Sequence, residues 1–315
     1  MPNPTLVFRP ATQADAPFAA KVTEFVDPFR PMAIEDLREK WVNTEKGSEV
    51  RRFIVEEGGV DTGWISLVKP NEAGGKAIYL NVLVPAEYRR LLSAVVAFGE
   101  SQARQMDAPL LICEVGEDQT HVVEWLRDDG WTLERRLRFW RLVLGPHADR
   151  IRELRAAARR KLEPSGVVIT SVAELGGAPF LRRLHPVGQA ASADVPSSYE
   201  YVPEPYDEWA AWMQPPAVLP ERIWVAVMDG EPVGYSYLAY RLSLVETGFT
   251  GVLEEHRGKG VARALKLETL LQAIDLGVKT VQTDNDSENA PILHLNAELG
   301  YDEIPGKLEF HHTLA

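Results

Sequence analysis

The sequence predicts an α/β fold used twice, each copy a mixed, mostly antiparallel sheet with flanking helices. Three observations predict it. Short motifs recur in one order, with Gly63 and Gly234, Arg89 and Arg257, and Trp131 and Tyr301 each about 170 residues apart, far beyond a solenoid period. In the later half, apolar runs at 223–228 and 233–240 flank Asp229-Gly230, a favoured hairpin pair. After them a strand runs into a glycine-bearing loop, and two helical patterns alternate with short β-rich runs, the pattern of parallel crossovers.

The elements of the later half follow in order. A short strand at Val168–Ile169 echoes Leu6–Phe8 of the first half. The hairpin strands are followed by a third strand over 244–253, rich in β-branched and aromatic residues. A helix over 262–276 is read from Leu267, Leu270, Leu271 and Ile274 at helical spacing, with Gly277 as its stop. A strand over 280–283 comes next, then a helix over 290–299 that Asn289 can cap and whose first turn tolerates Pro291. The last strand is expected over 308–313. Between the halves, 148–161 reads as a helix with Asp149 early and arginines and a lysine late, in keeping with its dipole, and Pro164-Ser165-Gly166 ends it. The expected division is a first domain over 1–144, a helical linker over 145–163 and a second domain over 164–315.

The chain has 315 residues, 45% of them hydrophobic, and a formal net charge of −12. That length suits about two domains. Such an acidic surface argues against a nucleic-acid or anionic-membrane partner. The single cysteine, Cys113, lies in an apolar run and is expected as an inert core residue, which fits a reducing compartment. The first residues lack the basic and apolar regions of a signal peptide, and no apolar run reaches membrane-spanning length, so the cytoplasm is the expected location. His311 and His312 are adjacent on a strand and face opposite sides, so they form no metal site.

The stretch from Gly251 to Arg263 joins the third strand to its helix. Gly258 and Gly260 let the backbone turn so that successive N–H groups converge at a helix N-terminus, a nest suited to phosphate. Its spacing is neither that of a nucleotide-triphosphate loop nor that of the dinucleotide fingerprint. Arg257, Gly260 and Ala262 fit Arg/Gln-x-x-Gly-x-Gly/Ala, and Asn289 followed by a helix ending in Leu299-Gly300-Tyr301 supplies a second motif. Together these resemble the GNAT acyl-CoA-dependent N-acyltransferases over about residues 165–315, and the tandem plan resembles the two-domain bacterial branch that includes mycothiol synthase-like proteins.

The resemblance implies two tandem GNAT domains, with acetyl-CoA as co-substrate and a small-molecule amine as acceptor. It implies that the main chain of Arg257, Gly258, Lys259, Gly260, Val261 and Ala262 holds the pyrophosphate. The strand edge Val252–Leu253 would pair with the pantetheine arm and donate to the thioester oxygen, the arm lying where this strand splays from the strand at 280–283. Asn289 matches the family asparagine that contacts the cofactor, and Asn285 is a further candidate beside a turn role. Some relatives carry a catalytic glutamate where Glu246 stands. Glu246 and Val252 are an even number of residues apart, so both side chains face one way unless a bulge intervenes. The general-acid tyrosine of many relatives is replaced here by Asn296, which can donate a hydrogen bond to a thiolate but not release a proton.

In the first half, Arg90 and Leu92 stand where the second has Gly258 and Gly260, which blocks close approach of a pyrophosphate. That half is expected to keep the fold without the cofactor loop. The segment from Asp194 to Trp212 mixes aromatics with carboxylates, as would suit an organic cation, a flat aromatic acceptor, or simply packing by Trp209 and Trp212. A non-catalytic acyl-CoA-binding sensor or scaffold is the alternative to an enzyme, and the oligomeric state is left open.

Overall fold

The structure, a computed structural model, describes residues 5–46, 48–70, 77–196, 201–213 and 216–314. In chain order they form β1 (Leu6–Pro10), α1 (Ala16–Val26), α2 (Ile34–Lys46), β2 (Ser48–Glu57), β3 (Val60–Pro70), β4 (Ala77–Leu83), α3 (Leu92–Gln105), β5 (Leu110–Gly116), α4 (Thr120–Asp128) and β6 (Thr132–Val143). They continue with α5 (Leu144–Leu162), β7 (Val168–Ser171), α6 (Leu181–Ala193), α7 (Tyr206–Trp212), β8 (Ile223–Met228), β9 (Glu231–Tyr240) and β10 (Val245–Val252). The chain closes with α8 (Val261–Asp275), β11 (Thr280–Asp286), α9 (Ala290–Leu299) and β12 (Asp302–Thr313). The predicted mixed α/β plan is thus present, with β8 and α9 at their expected bounds and β11 and β12 longer than the sequence suggested.

Contacts group the described residues into two units, one of 5–138 with 305–314 and one of 139–196 with 201–304. The first unit holds the strand order β1-β2-β3-β4-β5-β12, antiparallel except for the parallel pair β4–β5. Its core includes Ile65, Leu67, Ile78 and Val95, and Phe310 of β12 is fully buried among them. The last strand of the chain therefore completes the sheet of the first unit, in register from Lys307 opposite Gly116 to Thr313 opposite Leu110. Sequence order assigned this strand to the second half; burial of Phe310 assigns it to the first core. Cys113 lies in this core as expected, and burial pushes its thiol up to about 12.

The loop of the first unit that matches the phosphate loop of the second has coiled differently. Residues 86–91 make a 3-10 helix that runs straight into α3, with Arg90 in its last turn. Where the second unit has its glycines, Leu92 donates its N–H to the Arg89 carbonyl, so the coil continues and these N–H groups turn inward.

The second unit has the order β6-β11-β10-β9-β8-β7, with residues 139–143 of β6 at one edge. The hairpin between β8 and β9 turns at Asp229 and Gly230, both with positive φ (50° and 81°), as a tight two-residue turn demands. Helices α5 and α8 cover one face, with Ile151, Ala158 and Leu162 of α5 buried against Leu265, Leu267 and Leu270 of α8. The arginine-rich helix is thus packed along one side, and Arg155 and Arg159 both hold the buried Glu268 carboxylate, at 2.9 and 2.5 Å. Helices α6 and α7 cover the other face over Tyr235, Ala239 and Val225.

Gly188 of α6 fits against Tyr235 so closely that an added Cβ would lie 2.5 Å from the phenolic oxygen. Tyr235 is fully buried and cannot step aside. Gly188→Ala is expected to lower stability by about 1–3 kcal/mol, read as a shift of the urea midpoint without change of slope.

Candidate functional site

The site grows from a parting of two strands. Parallel strands β10 and β11 are bridged at a single pair, Glu246 opposite Gln282. Beyond it β10 follows β9 to Val252 opposite Gly234, while β11 runs on to Asp286, so a gap opens between their C-terminal halves. The expected cleft is therefore present. Leu253 donates its N–H to the Val233 carbonyl at 2.9 Å, which assigns it to the β9 side. By the alternation of an antiparallel ladder, the N–H and carbonyl of Val252 then point to the gap. The Val252 carbonyl accepts from Arg257 Nε at 2.9 Å, which leaves the Val252 N–H as the strand's donor into the gap. Of the two expected edge residues, Val252 faces the gap and Leu253 is committed to the sheet.

The loop that follows is a 3-10 turn over Glu254–His256, extended backbone at Arg257, and left-handed backbone at Gly258 (φ 73°) and Gly260 (φ 92°). Gly260 is the N-cap of α8 and has no side chain to cap it, so the first N–H groups, from Val261 and Ala262, are left pointing out of the helix end. Space around Gly258 is open, and an added Cβ at Gly260 would meet only Lys161 of α5, at 4.0 Å. Arg257 and Lys259 do not reach across the loop. Arg257 is tied back to Asp194 at 2.6 Å, and Lys259 Nζ donates to the Glu255 carbonyl at 2.8 Å. The cradle is thus built of main chain at the positive end of a helix dipole, a fit for a diphosphate. Asn289 stands at the N-cap of α9, yet its side chain makes no capping bond, so its amide is available at the far side of the gap.

Glu246 sits where the gap begins. The register of β10 slips between Thr247 and Phe249, a bulge at Gly248. Counting across it, Glu246 shares a face with Phe249, Tyr235 and Tyr237, whereas Val252 shares the opposite face with Thr247 and Thr250. The even spacing of Glu246 and Val252 misled, because one extra residue inverts the alternation. The correction moves the carboxylate to the side covered by α6 and α7, where the aromatic residues gather. Its Oε1 accepts from Arg241 Nε at 3.0 Å, both side chains being about one-third exposed.

Those aromatics include Tyr206, Trp209, Tyr235, Tyr237 and Phe249, with Tyr235 stacked on Phe249 at 4.6 Å and Trp209 edge-on to Tyr235 at 6.4 Å. Trp209 packs as core, while Trp212 is 48% exposed. Residues 197–200 of the expected acceptor segment lie outside the described residues. The part at 201–204 is pinned to α6: Tyr201 donates its hydroxyl to Gln189, Glu204 donates its N–H to Gln189 Oε1 at 2.8 Å, and its carbonyl meets His185 Nε2 at 2.8 Å. Burial holds the Glu204 carboxyl above the usual carboxylate range.

Asn296 is not at the surface of the gap. It is wholly enclosed, its Oδ1 accepting from Lys266 Nζ at 3.0 Å and its Nδ2 donating to Asn285 Oδ1 at 2.8 Å. Expected as a catalytic residue, it is instead bonded inward on both sides of its amide. Asp286 does the turn work, accepting from the Glu288 N–H at 2.7 Å, whereas Asn285 is bonded to Asn296. Sequence reading missed Lys266 altogether. The signal was there, a lysine and Glu268 flanking Leu267 in a helix that has cover on both sides, but one helix read alone gives such charges to solvent. Among the described residues no cluster of His, Cys, Asp or Glu could hold a metal, and no helix is long and apolar enough to cross a membrane.

Comparison with known proteins bears on this geometry. The sequence profile of the Acetyltransferase (GNAT) family matches residues 188–301, the stretch that holds the gap, the loop and α9. A search of curated proteins finds no match. Among solved structures, a GCN5-related N-acetyltransferase from Sphaerobacter thermophilus superposes with a TM-score of 0.75 at 18% identity, covering 98% of this chain and 95% of that one. A tandem GNAT protein from the clavulanic acid biosynthesis pathway gives 0.73 at 20% identity, covering 98% of each chain. A GNAT-family acetyltransferase from Colwellia psychrerythraea gives 0.62 at 10% identity, covering 98% of this chain and all of that one. At such identities the likeness is one of fold, and the fold is that of tandem GNAT proteins.

Proposed function

We infer, from the acetyltransferase (GNAT) domain at residues 188–301, that the chain is an N-acetyltransferase that moves an acetyl group from acetyl-CoA to the amine of a small molecule. The observation that carries this reading is the single-pair bridge of β10 to β11, with the gap beyond it opening beside the Gly258–Ala262 nest. A thioester arm needs such a slot, and a diphosphate needs such a helix end. We assign the cofactor-holding part to the second unit, residues 139–196 with 201–304, and a supporting role to the first unit, whose loop at 86–91 is coiled. The single buried cysteine fits work in a reducing cytoplasm.

In this reading the main chain of 257–262 grips the diphosphate and Asn289 steadies the arm. The Val252 N–H donates to the thioester oxygen, whose negative charge grows as the amine adds. Glu246, on the aromatic face, takes the amine's proton through water. The aromatics and Glu204 form the wall that an organic amine would meet.

Titration calorimetry with CoA, followed by thiol release from acetyl-CoA across a panel of small amines, tests the proposal. Binding in the micromolar range and release with at least one amine are expected. No uptake of CoA would end the reading. Uptake without release from any acceptor would mark a non-catalytic acyl-CoA-binding module instead.

A further inference from the structure

Lys266 is 2% exposed, on the face of β10 and β11 opposite Glu246, and nothing in the reaction above uses it. Burying an ammonium is costly unless its charge has work or a partner. Its bonded partner is neutral: Asn296 Oδ1 at 3.0 Å. The Tyr301 ring lies beneath it, 5.4 Å from Nζ. Of the charged groups around it, Asp284 of β11 favours the ammonium; Glu268, two residues along α8, is turned to Arg155 and Arg159 of α5. Beside the cluster, the buried hydroxyls of Tyr301 and Thr247 face each other.

An ammonium can only donate, so the direction of the chain of bonds is fixed. Asn296 must turn its oxygen to Lys266 and its NH2 to Asn285. Asn285 then takes that bond on its oxygen and presents its own NH2 onward, at the half-buried end of β11 beside the gap. Hydrogen bonds in series polarise one another, most of all where a charge starts the series.

We propose that Lys266 is a positioning residue that drives a one-way amide relay through Asn296 to Asn285, and that the Asn285 NH2 stabilises the leaving thiolate. This deepens the acetyltransferase reading and rests on it. As the new C–N bond forms and the C–S bond breaks, the sulfur leaves with the bonding pair; the amine proton goes to Glu246 through water, and the relay holds the thiolate until solvent protonates it. The relay takes the place of the general acid that Asn296 cannot be. Burial lowers the Lys266 ammonium to about 8, so the relay is charged at neutral pH and switches off above that.

The test is ionisation of bound CoA, followed by thiolate absorbance from pH 6 to 10, with Lys266→Met and Asn285→Ala. In the wild-type complex the thiol should ionise at a pH about one unit or more below that of free CoA, since a nearby positive field favours the anion. Either variant should return it to the free value. Both should keep CoA affinity by calorimetry and lose kcat by on the order of 10²-fold, as for removal of one oxyanion donor. Turnover of the wild type should fall above about pH 8 and that of Lys266→Met should not. Asn285→Ala guards against misfolding, since it alters the half-buried end of the relay and leaves the core intact. Bound-thiol ionisation alike in all three proteins would overturn the relay and leave the acetyltransferase reading standing. Failure of the wild type to bind CoA would end both.

Discussion

Gly260→Glu is expected to abolish CoA binding. Gly260 holds φ at 92°, where a residue with a Cβ is strained by roughly 1–2 kcal/mol, and its N-cap position aims the first free N–H groups of α8. Glutamate would put a carboxylate at that helix end, where it competes with the phosphate for the same donors. Losing two charge-assisted hydrogen bonds at roughly 1.5–3 kcal/mol each corresponds to a loss of affinity of about 10²–10⁴-fold. Calorimetry should detect no uptake at concentrations that saturate the wild type, while the thermal transition drops by only a few degrees, about what one strained residue costs a domain of this size. The nearest side chain, Lys161, is a flexible cation and can move aside. Undiminished CoA binding by this variant would show that the loop is not the anchor.

Glu246→Gln carries the second largest effect. The amide keeps the shape and the contact with Arg241 but cannot accept a proton. A kcat loss of about 10²-fold or more is expected, typical of removing a general base, with the KM for acetyl-CoA little changed because the nest and the Val252 N–H are untouched. The split between kcat and KM is the diagnostic. An unaltered kcat would remove Glu246 from the mechanism and pass the proton to water or to another group on the aromatic face.

The loop and the last helix could be read in the sequence because their chemistry is local. Gly258 and Gly260 take backbone conformations that few other residues accept, and in the motif at 289–301 left-handed Gly300 stops the helix. The parting of β10 from β11 was expected only through the family resemblance. Three features escaped because they depend on what another part of the chain does. The bulge at Gly248 inverts the facing of Glu246, and glycine in a strand hints at such a slip without revealing its sense. Lys266 looks like a solvated charge until α9 and Tyr301 close over it. Asn296 stands in the sequence where the resemblance implies a tyrosine, whereas in the fold it faces inward and joins two other polar groups.

The seating of β12 beside β5 has a consequence for how the protein is made. A ribosome delivers β5 nearly two hundred residues before the strand that must pair with it. Until β12 emerges, the nascent first repeat carries an open sheet edge and lacks Phe310 from its core, the kind of edge that invites wrong partners. Its folding therefore ends last although its synthesis ends first. Splitting the gene between the repeats would leave that edge without its strand.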